Sequence, residues 1–342
     1  MKKCYTLAEL AAAIGAEVCG NGERKIIGLS DDGENSPDRL SFMDSLKKAR
    51  DIPNNVAVVA NAQNFPEGYD GMKVTSFRAA MAKLLYIFEP RYEYAPGVSP
   101  MAFIAPSAKV HETAFIGPNC TISAGAIIGK NVKLIANVYV GPDAEIGDDS
   151  VLEPMAVVQR RTKIGKRCLL HSCAVIGADG FGIIPGGPDG KNVKIPQIGT
   201  VIIGDDVEIG ACTCVDRATI STTAVKDGAK LAGQVQIGHN CSVGKNCVIA
   251  NQSGVAGSTT IGDGVVMGAR SGLNGHINIA RGTQIAGVAI VMKDTKPGQI
   301  LSGHPAIDHM ENYRFRASLR RVPELLKRVK ELERKIDDAS NA

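Results

Sequence analysis

Two histidines in this chain stand in glycine-containing turn sequences. His239 lies in Ile237-Gly238-His239-Asn240 and His276 in Leu273-Asn274-Gly275-His276. An imidazole titrates near neutrality and is suited to take a proton from an attacking nucleophile. If the chain winds in coils of eighteen residues, positions 239, 257 and 275 form one column, occupied by His239, Gly257 and Gly275. His276 falls one residue beyond that column, about 10 Å further along at two strand spacings. The glycines between the histidines leave room for a ligand and let backbone N–H groups approach it. Such an N–H could stabilise a tetrahedral oxyanion. Turn histidines are common, so the pair alone does not establish a site. Zinc is the competing chemistry, but no close histidine pair falls in the repeat region. His304 and His309 lie in a Pro-containing tail, and Cys212 and Cys214 are too close together for a usual zinc pair. No metal is expected.

The eighteen-residue coil follows from a repeat. From Ile104 an aliphatic residue recurs every six positions through Val110, Ile116, Ile122, Ile128, Leu134, Val140, Ile146, Leu152, Val158, Ile164, Leu170 and Ile176. Gly or another small residue often follows, and a small or β-branched residue falls four places on. The register is lost over Gly182–Gln197, resumes at Ile203, breaks near Ser221, and runs in sixes from Val225 to Val291. One unit is a short strand plus a turn, and three units close a triangular coil with the aliphatics inside. About 28 units give roughly nine stacked coils of a parallel β-helix. Cys120, Cys168, Cys241 and Cys247 occupy the small-residue slot, where packing explains them better than redox or metal roles.

Bulk properties agree. Of the 342 residues 44% are apolar, 38 are Gly, 4% are aromatic and none is Trp, a composition for a core of small and β-branched residues in turn-rich segments. A net charge of +4 is too small to imply nucleic acid. No segment approaches the roughly 20 apolar residues of a membrane span. Nine cysteines without a paired framework suit reduced thiols in the cytoplasm. Glu9 and Glu17 interrupt any apolar signal-peptide core.

Residues 1–100 lack the six-residue period and read as a small α/β domain. Thr6 and Glu9 form a capping box opening a helix from Leu7 to about Ala16, followed by a strand near Val56–Ala60, a helix near Phe77–Phe88, and a Pro-containing connector to Pro100. The β-helix domain is expected over 101–296 and a helical extension over 297–342. In that extension Leu325, Val329, Leu332 and Ile336 are spaced four, three and four, a seam that needs partners. Between Glu311 and Asp338 nine Lys/Arg face six Asp/Glu, either a solvated helix surface or a landing patch for an acidic protein.

At this point the sequence resembles the UDP-3-O-(3-hydroxyacyl)glucosamine N-acyltransferases of lipid A biosynthesis, the LpxD family, over nearly its whole length. The matching stretches are Leu7–Val18, Asp38–Phe42, Ile176–Gly182, Lys194–Ile209, Val215–Arg217, Val235–Asn240, Asn274–His276, Ser302–Ala306 and the tail Arg320–Glu333. The resemblance implies a left-handed parallel β-helix with a small N-terminal α/β domain that binds uridine, and C-terminal helices. It also implies a homotrimer with sites in grooves between neighbouring prisms. By that resemblance His239 is the general base, the Gly257 N–H serves the oxyanion and His276 contacts the nucleotide phosphates. Gln236 and Asn240 are polar groups near the acyl chain. The donor is a 3-hydroxyacyl thioester of acyl carrier protein and the acceptor UDP-3-O-acyl-glucosamine. No cofactor is implied, because amine attack on a thioester needs positioning and proton removal.

The sequence departs from the family in three places. Where the family grips uracil with Phe, Asn and Tyr at three-residue spacing, this chain has Phe42, Ser45 and Lys48. Ala232-Gly233 replaces the usual Asp-Asn before the catalytic segment. Ile290 falls where a family member uses a longer side chain to limit acyl length. Two alternatives stay open: an acyltransferase for another nucleotide amino sugar, and a non-catalytic β-helix scaffold.

Overall fold

The computed structural model describes residues 4–30, 36–43, 52–53, 55–90, 92–187, 189–303 and 309–340. The chain divides into two units, Met1–Glu93 and Tyr94–Ala342. In the first, helix α1 (Leu7–Ile14) opens on the expected capping box. Thr6 Oγ1 accepts from Glu9 N–H, and Glu9 Oε2 accepts from Thr6 N–H at 2.7 Å. The helix ends earlier than expected because Gly15 turns left-handed at φ 74°. Helix α2 spans Phe77–Phe88 with Ser76 as its cap. Both helices accompany a five-stranded sheet in the order Glu17–Cys19, Gly71–Val74, Ala57–Asn61, Arg39–Phe42, Gly28–Ser30. Leu7, Leu10, Leu40, Met72 and Leu84 fill its core.

The second unit is a parallel β-helix whose three faces are sheets of 9, 11 and 10 strands. The ladder begins at Gly97–Val98, one six-residue step before Ile104, and ends at Ile300–Leu301. Those outer strands make about ten coils. Each strand contributes one inward aliphatic, and register stacks these in columns. On one face Ile116, Leu134, Leu152, Leu170, Ile209, Leu231, Ile249, Met267 and Ile285 lie directly above one another, all buried.

At most corners the second turn residue takes positive φ, as at Asn119, Asn131, Asn137, Asp143 and Asp149. Asn and Asp tolerate that conformation because their short polar side chains bond locally. The small-residue slots behave as expected. Cys120, Cys168, Cys241 and Cys247 are buried, and the Cys241 thiol donates to Ala256 O at 3.2 Å. Burial pushes Cys241 up to about 11, far from a reactive thiolate.

Two insertions interrupt the ladder without breaking it. Lys163–Ile164 pairs with Ile202–Ile203 across the first, which projects a hairpin of Ile183–Ile184 and Val193–Lys194. Arg217, fully buried, pins both roots of this excursion: Nε donates to Gly177 O at 2.8 Å and Nη1 to Gly199 O at 3.4 Å. Helices α3 (His309–Leu319) and α4 (Val322–Ser340) close the chain. The seam residues of α4 are all exposed, from 46% at Leu325 to 63% at Ile336. His304 lies outside the described residues.

One charge cluster on the β-helix makes stability pH-dependent. His171 Nδ1 lies 3.2 Å from Glu153 Oε2 and Nε2 3.1 Å from Glu208 Oε1. Burial disfavours the imidazolium, but the bonds to Glu208 and Glu153 outweigh it and hold His171 above its usual 6.5. A raised pKa in the folded state stabilises fully below about 6.5 and is lost as pH rises through the folded value. The Tm of the protein is therefore expected to fall as buffers step upward from pH 6. In His171→Gln that component of the slope disappears; an unchanged slope refutes the assignment.

Candidate active site

His239 is held by both of the places where the six-residue register fails. From the root of the first excursion comes Gly180. A Cβ there would lie 2.6 Å from His239 Cβ and 3.2 Å from Cδ2. On the other side is Gly257, where a Cβ would lie 2.6 Å from His239 Nε2 and 2.8 Å from Cε1. The imidazole is sandwiched between two glycines, and any side chain at either would displace it. The second break holds Asn240, the ring's partner. Thr219 N–H donates to Asn240 Oδ1 at 3.0 Å, and Asn240 Nδ2 donates to Ser221 Oγ at 3.3 Å.

These bonds select the tautomer. Asn240 Oδ1 already accepts from a backbone N–H, so His239 Nδ1, 3.0 Å from the same oxygen, must be the donor. Nε2 is left with its lone pair, on the side of Gly257, as a proton acceptor requires.

The Gly257 N–H is the second notable group. At a different corner, the one that follows the nine-stranded sheet, the first turn residue's N–H is capped by an aspartate from the next coil: Lys130 by Asp148, Lys166 by Asp205, Lys245 by Asp263. The residue one coil above Gly257 is Gly275, which has no side chain to offer. Among the described residues no hydrogen bond engages the Gly257 N–H. The column itself is well ordered: Ser258 N–H donates to His239 O at 2.8 Å and His276 N–H to Gly257 O at 3.2 Å. His276 is exposed and takes the left-handed corner slot at φ 60°. It therefore stands two coils from His239 in the same corner of the prism.

Beside this column runs a shallow trough. Cys214, Gln236, Gly254, Gly272 and Ile290 are in register on successive strands of one face. A Cβ on Gly254 would meet nothing within 4 Å, and one on Gly272 would reach only Ile290 Cγ1, at 3.8 Å. Gln236 stands at the head of the trough and Ile290, 68% exposed, at its foot. The length between them is about 14 Å at three strand spacings.

The β-helix thus assembles His239, Asn240, Gly257, Gln236, His276 and Ile290. Phe42 belongs to the first unit, half-buried with its ring edge-on to Phe77 at 6.0 Å. Ser45 and Lys48 lie outside the described residues. That unit also holds a cavity of about 680 Å³ lined by Ile27, Leu29, Leu85, Tyr86 and Phe88. Gly180, Thr219, Ser221 and Asp216 had no role assigned from the sequence. Their signal was positional, since all fall in or beside the register breaks. Asp216 is 8% exposed, and Gln236 Nε2 donates to its Oδ2 at 2.9 Å.

Residues 125–160 match the family described as bacterial transferase hexapeptide (six repeats), and residues 234–257 match the hexapeptide repeat of succinyl-transferase. The second stretch runs from Gln234 to Gly257 and contains His239. A UDP-3-O-acylglucosamine N-acyltransferase of Anaeromyxobacter dehalogenans is 39% identical over 341 residues, covering 97% of this chain and 96% of that protein. The protein of the same name from Coxiella burnetii is 37% identical, covering 97% and 98%. Among solved structures, an Arabidopsis UDP-N-acetylglucosamine acyltransferase aligns with a TM-score of 0.53 at 22% identity, covering 60% of this chain and 71% of its own, a likeness of fold. Identity at this level along almost the entire length of both partners shows that the chain belongs to the UDP-3-O-acylglucosamine N-acyltransferase family.

Proposed function

We propose that this protein transfers a 3-hydroxyacyl group from acyl carrier protein to the 2-amino group of UDP-3-O-(3-hydroxyacyl)-glucosamine, a cytoplasmic step of lipid A biosynthesis. The observation that carries the reading is His239 Nε2 packed against Gly257, whose N–H has no hydrogen bond among the described residues, at the head of the trough over Gly254 and Gly272. The amine nitrogen attacks the thioester carbon, and the Gly257 N–H receives the developing oxyanion. His239 Nε2 takes the proton from the amine. The C–S bond breaks as the tetrahedral intermediate collapses, and the proton passes from His239 to the departing sulfur. Amide and free thiol result, with atoms and charge balanced and no cofactor required.

The trough over Gly254 and Gly272 would seat the acyl chain, with Ile290 at its end. Gln236 and Asn240 would frame the reacting groups, and His276 would meet the phosphates. Phe42, with Ser45 and Lys48 nearby in sequence, would contact the nucleotide base. The outer face of one prism is open, so substrates held there need a second wall. A homotrimer with sites between neighbouring prisms supplies it, and the exposed seam of α4 gives the chains a further surface to join. The excess of Lys and Arg in the C-terminal helices suits an acidic carrier protein.

Purified protein given 3-hydroxyacyl carrier-protein donors of several lengths and UDP-3-O-acyl-glucosamine is expected to acylate the 2-amino group. His239→Ala should cut the rate by about 10²–10⁴-fold. A folded protein that transfers nothing would redirect attention to another nucleotide amino sugar or to a scaffold. Gly257→Ala places a methyl against Nε2 and should cost roughly 100-fold, as expected for a catalytic group misplaced by about 1 Å, with little change in Tm. Ile290→Ala opens the foot of the trough and should move the preferred donor to longer chains; an unaltered length profile would remove Ile290 from that role.

A further inference from the structure

Acyl transfer as described leaves one buried carboxylate beside the site without a role. Asp216 belongs to the strand Cys214–Arg217, whose Cys214 pairs with Gln236. Across the other edge it faces Ala178, two residues before the Gly180 that packs on His239. Its neighbour Asp179 has its own cations, Lys194 Nζ at 2.7 Å and Arg217 Nε at 3.7 Å. Asp216 has none: among the described residues no Lys or Arg pairs with it, and its one polar contact shown is the neutral Gln236 amide. The titratable groups that face it are His239, Asp179, Cys214 and Cys241. Only His239 can become a cation.

A buried carboxylate without a counter-charge is costly to keep ionised. A neutral side chain could fill the same space more cheaply if packing were its whole purpose. We propose that Asp216 is a positioning residue for the acyl transfer, its carboxylate serving as the fixed counter-charge for the imidazolium that forms on His239. This rests on His239 being the general base of the reaction above. The charge is fixed before reaction, so no reorganisation is needed when the proton arrives. Burial raises Asp216 to about 6, while the Gln236 bond and His239 pull it down and Asp179 pushes it up. The carboxylate is thus present above about pH 6 and disappears below it. On the acid side full activity then depends on two groups being unprotonated, His239 and Asp216.

The test is the pH profile of kcat/KM with 3-hydroxyacyl carrier protein and UDP-3-O-acyl-glucosamine. The unmodified protein should show an acid limb steeper than slope one over about one decade of rate, since a protonated Asp216 costs what Asp216→Asn costs. Asp216→Asn should reduce the slope to one and lower kcat roughly 10-fold, the size of a single charge acting through a partly screened medium, with KM little changed. Gln236→Leu removes a bond that holds Asp216 down, so its acid limb should move to higher pH. If Asp216→Asn retains both the rate and the slope of the unmodified protein while His239→Ala is inactive, this inference fails and the acyltransfer reading stands. A measurement without turnover decides the matter if no transfer occurs: the His239 imidazole, titrated by NMR, should fall in pKa in Asp216→Asn. An unmoved titration overturns the proposal.

Discussion

Hydrogen bonds between successive coils are the constraint on which the rest of this molecule depends. Each strand is only a few residues long and could not persist alone, but its N–H and C=O groups are satisfied by the coils above and below. That ladder forces residues eighteen apart into vertical columns wherever the register is uninterrupted. Inside, the columns become stacks of Ile, Leu and Val; outside, they place groups at fixed spacings of about 4.8 Å. A side chain on the outer surface is therefore located by its number in the repeat more firmly than by its own contacts.

The site uses this regularity by departing from it. In the corner column Gly275 sits one coil above Gly257 and has no side chain to offer the Gly257 N–H. Where an outward strand residue would ordinarily present a side chain, Gly254 and Gly272 leave a trough. The two register breaks then bring in what a uniform prism lacks: Gly180 to hold one face of the imidazole, and Thr219 with Ser221 to orient Asn240 and hence His239. Such breaks cost ladder regularity, and a fully buried Arg217 offsets this by bonding to Gly177 and Gly199, at the two roots of the first insertion.

Electrostatics concentrates in the same place. Most charged pairs of the β-helix are exposed and join neighbouring coils at the surface, as Lys163 with Glu145 and Lys166 with Asp148 do, and pairs of that kind contribute little. Near His239 the charges are different in kind. Arg217 and Asp216, adjacent in the chain, are withdrawn from water, and Asp216 is bonded to the Gln236 amide. A low-dielectric surround makes fixed charges there count for more than the same charges on a corner.

Much of this was legible in the sequence because a strict period converts position into geometry. The six-residue recurrence from Ile104 to Ile176 and from Val225 to Val291 determined the parallel β-helix, the inward residues, the burial of Cys120, Cys168, Cys241 and Cys247, and the column of His239, Gly257 and Gly275. The capping box at Thr6 and the helix at Phe77–Phe88 were equally readable, since local hydrogen bonding and apolar spacing specify them. The period gives no information where it stops. Only the tertiary structure showed that Gly180 lies against His239, that Thr219 fixes its tautomer through Asn240, and that Asp216 is buried beside it, because these contacts join segments across insertions of irregular length. The sequence by itself determined where the repeating backbone would place its outward groups. The folding of the two irregular segments back onto the prism decided which of those groups are gathered around His239.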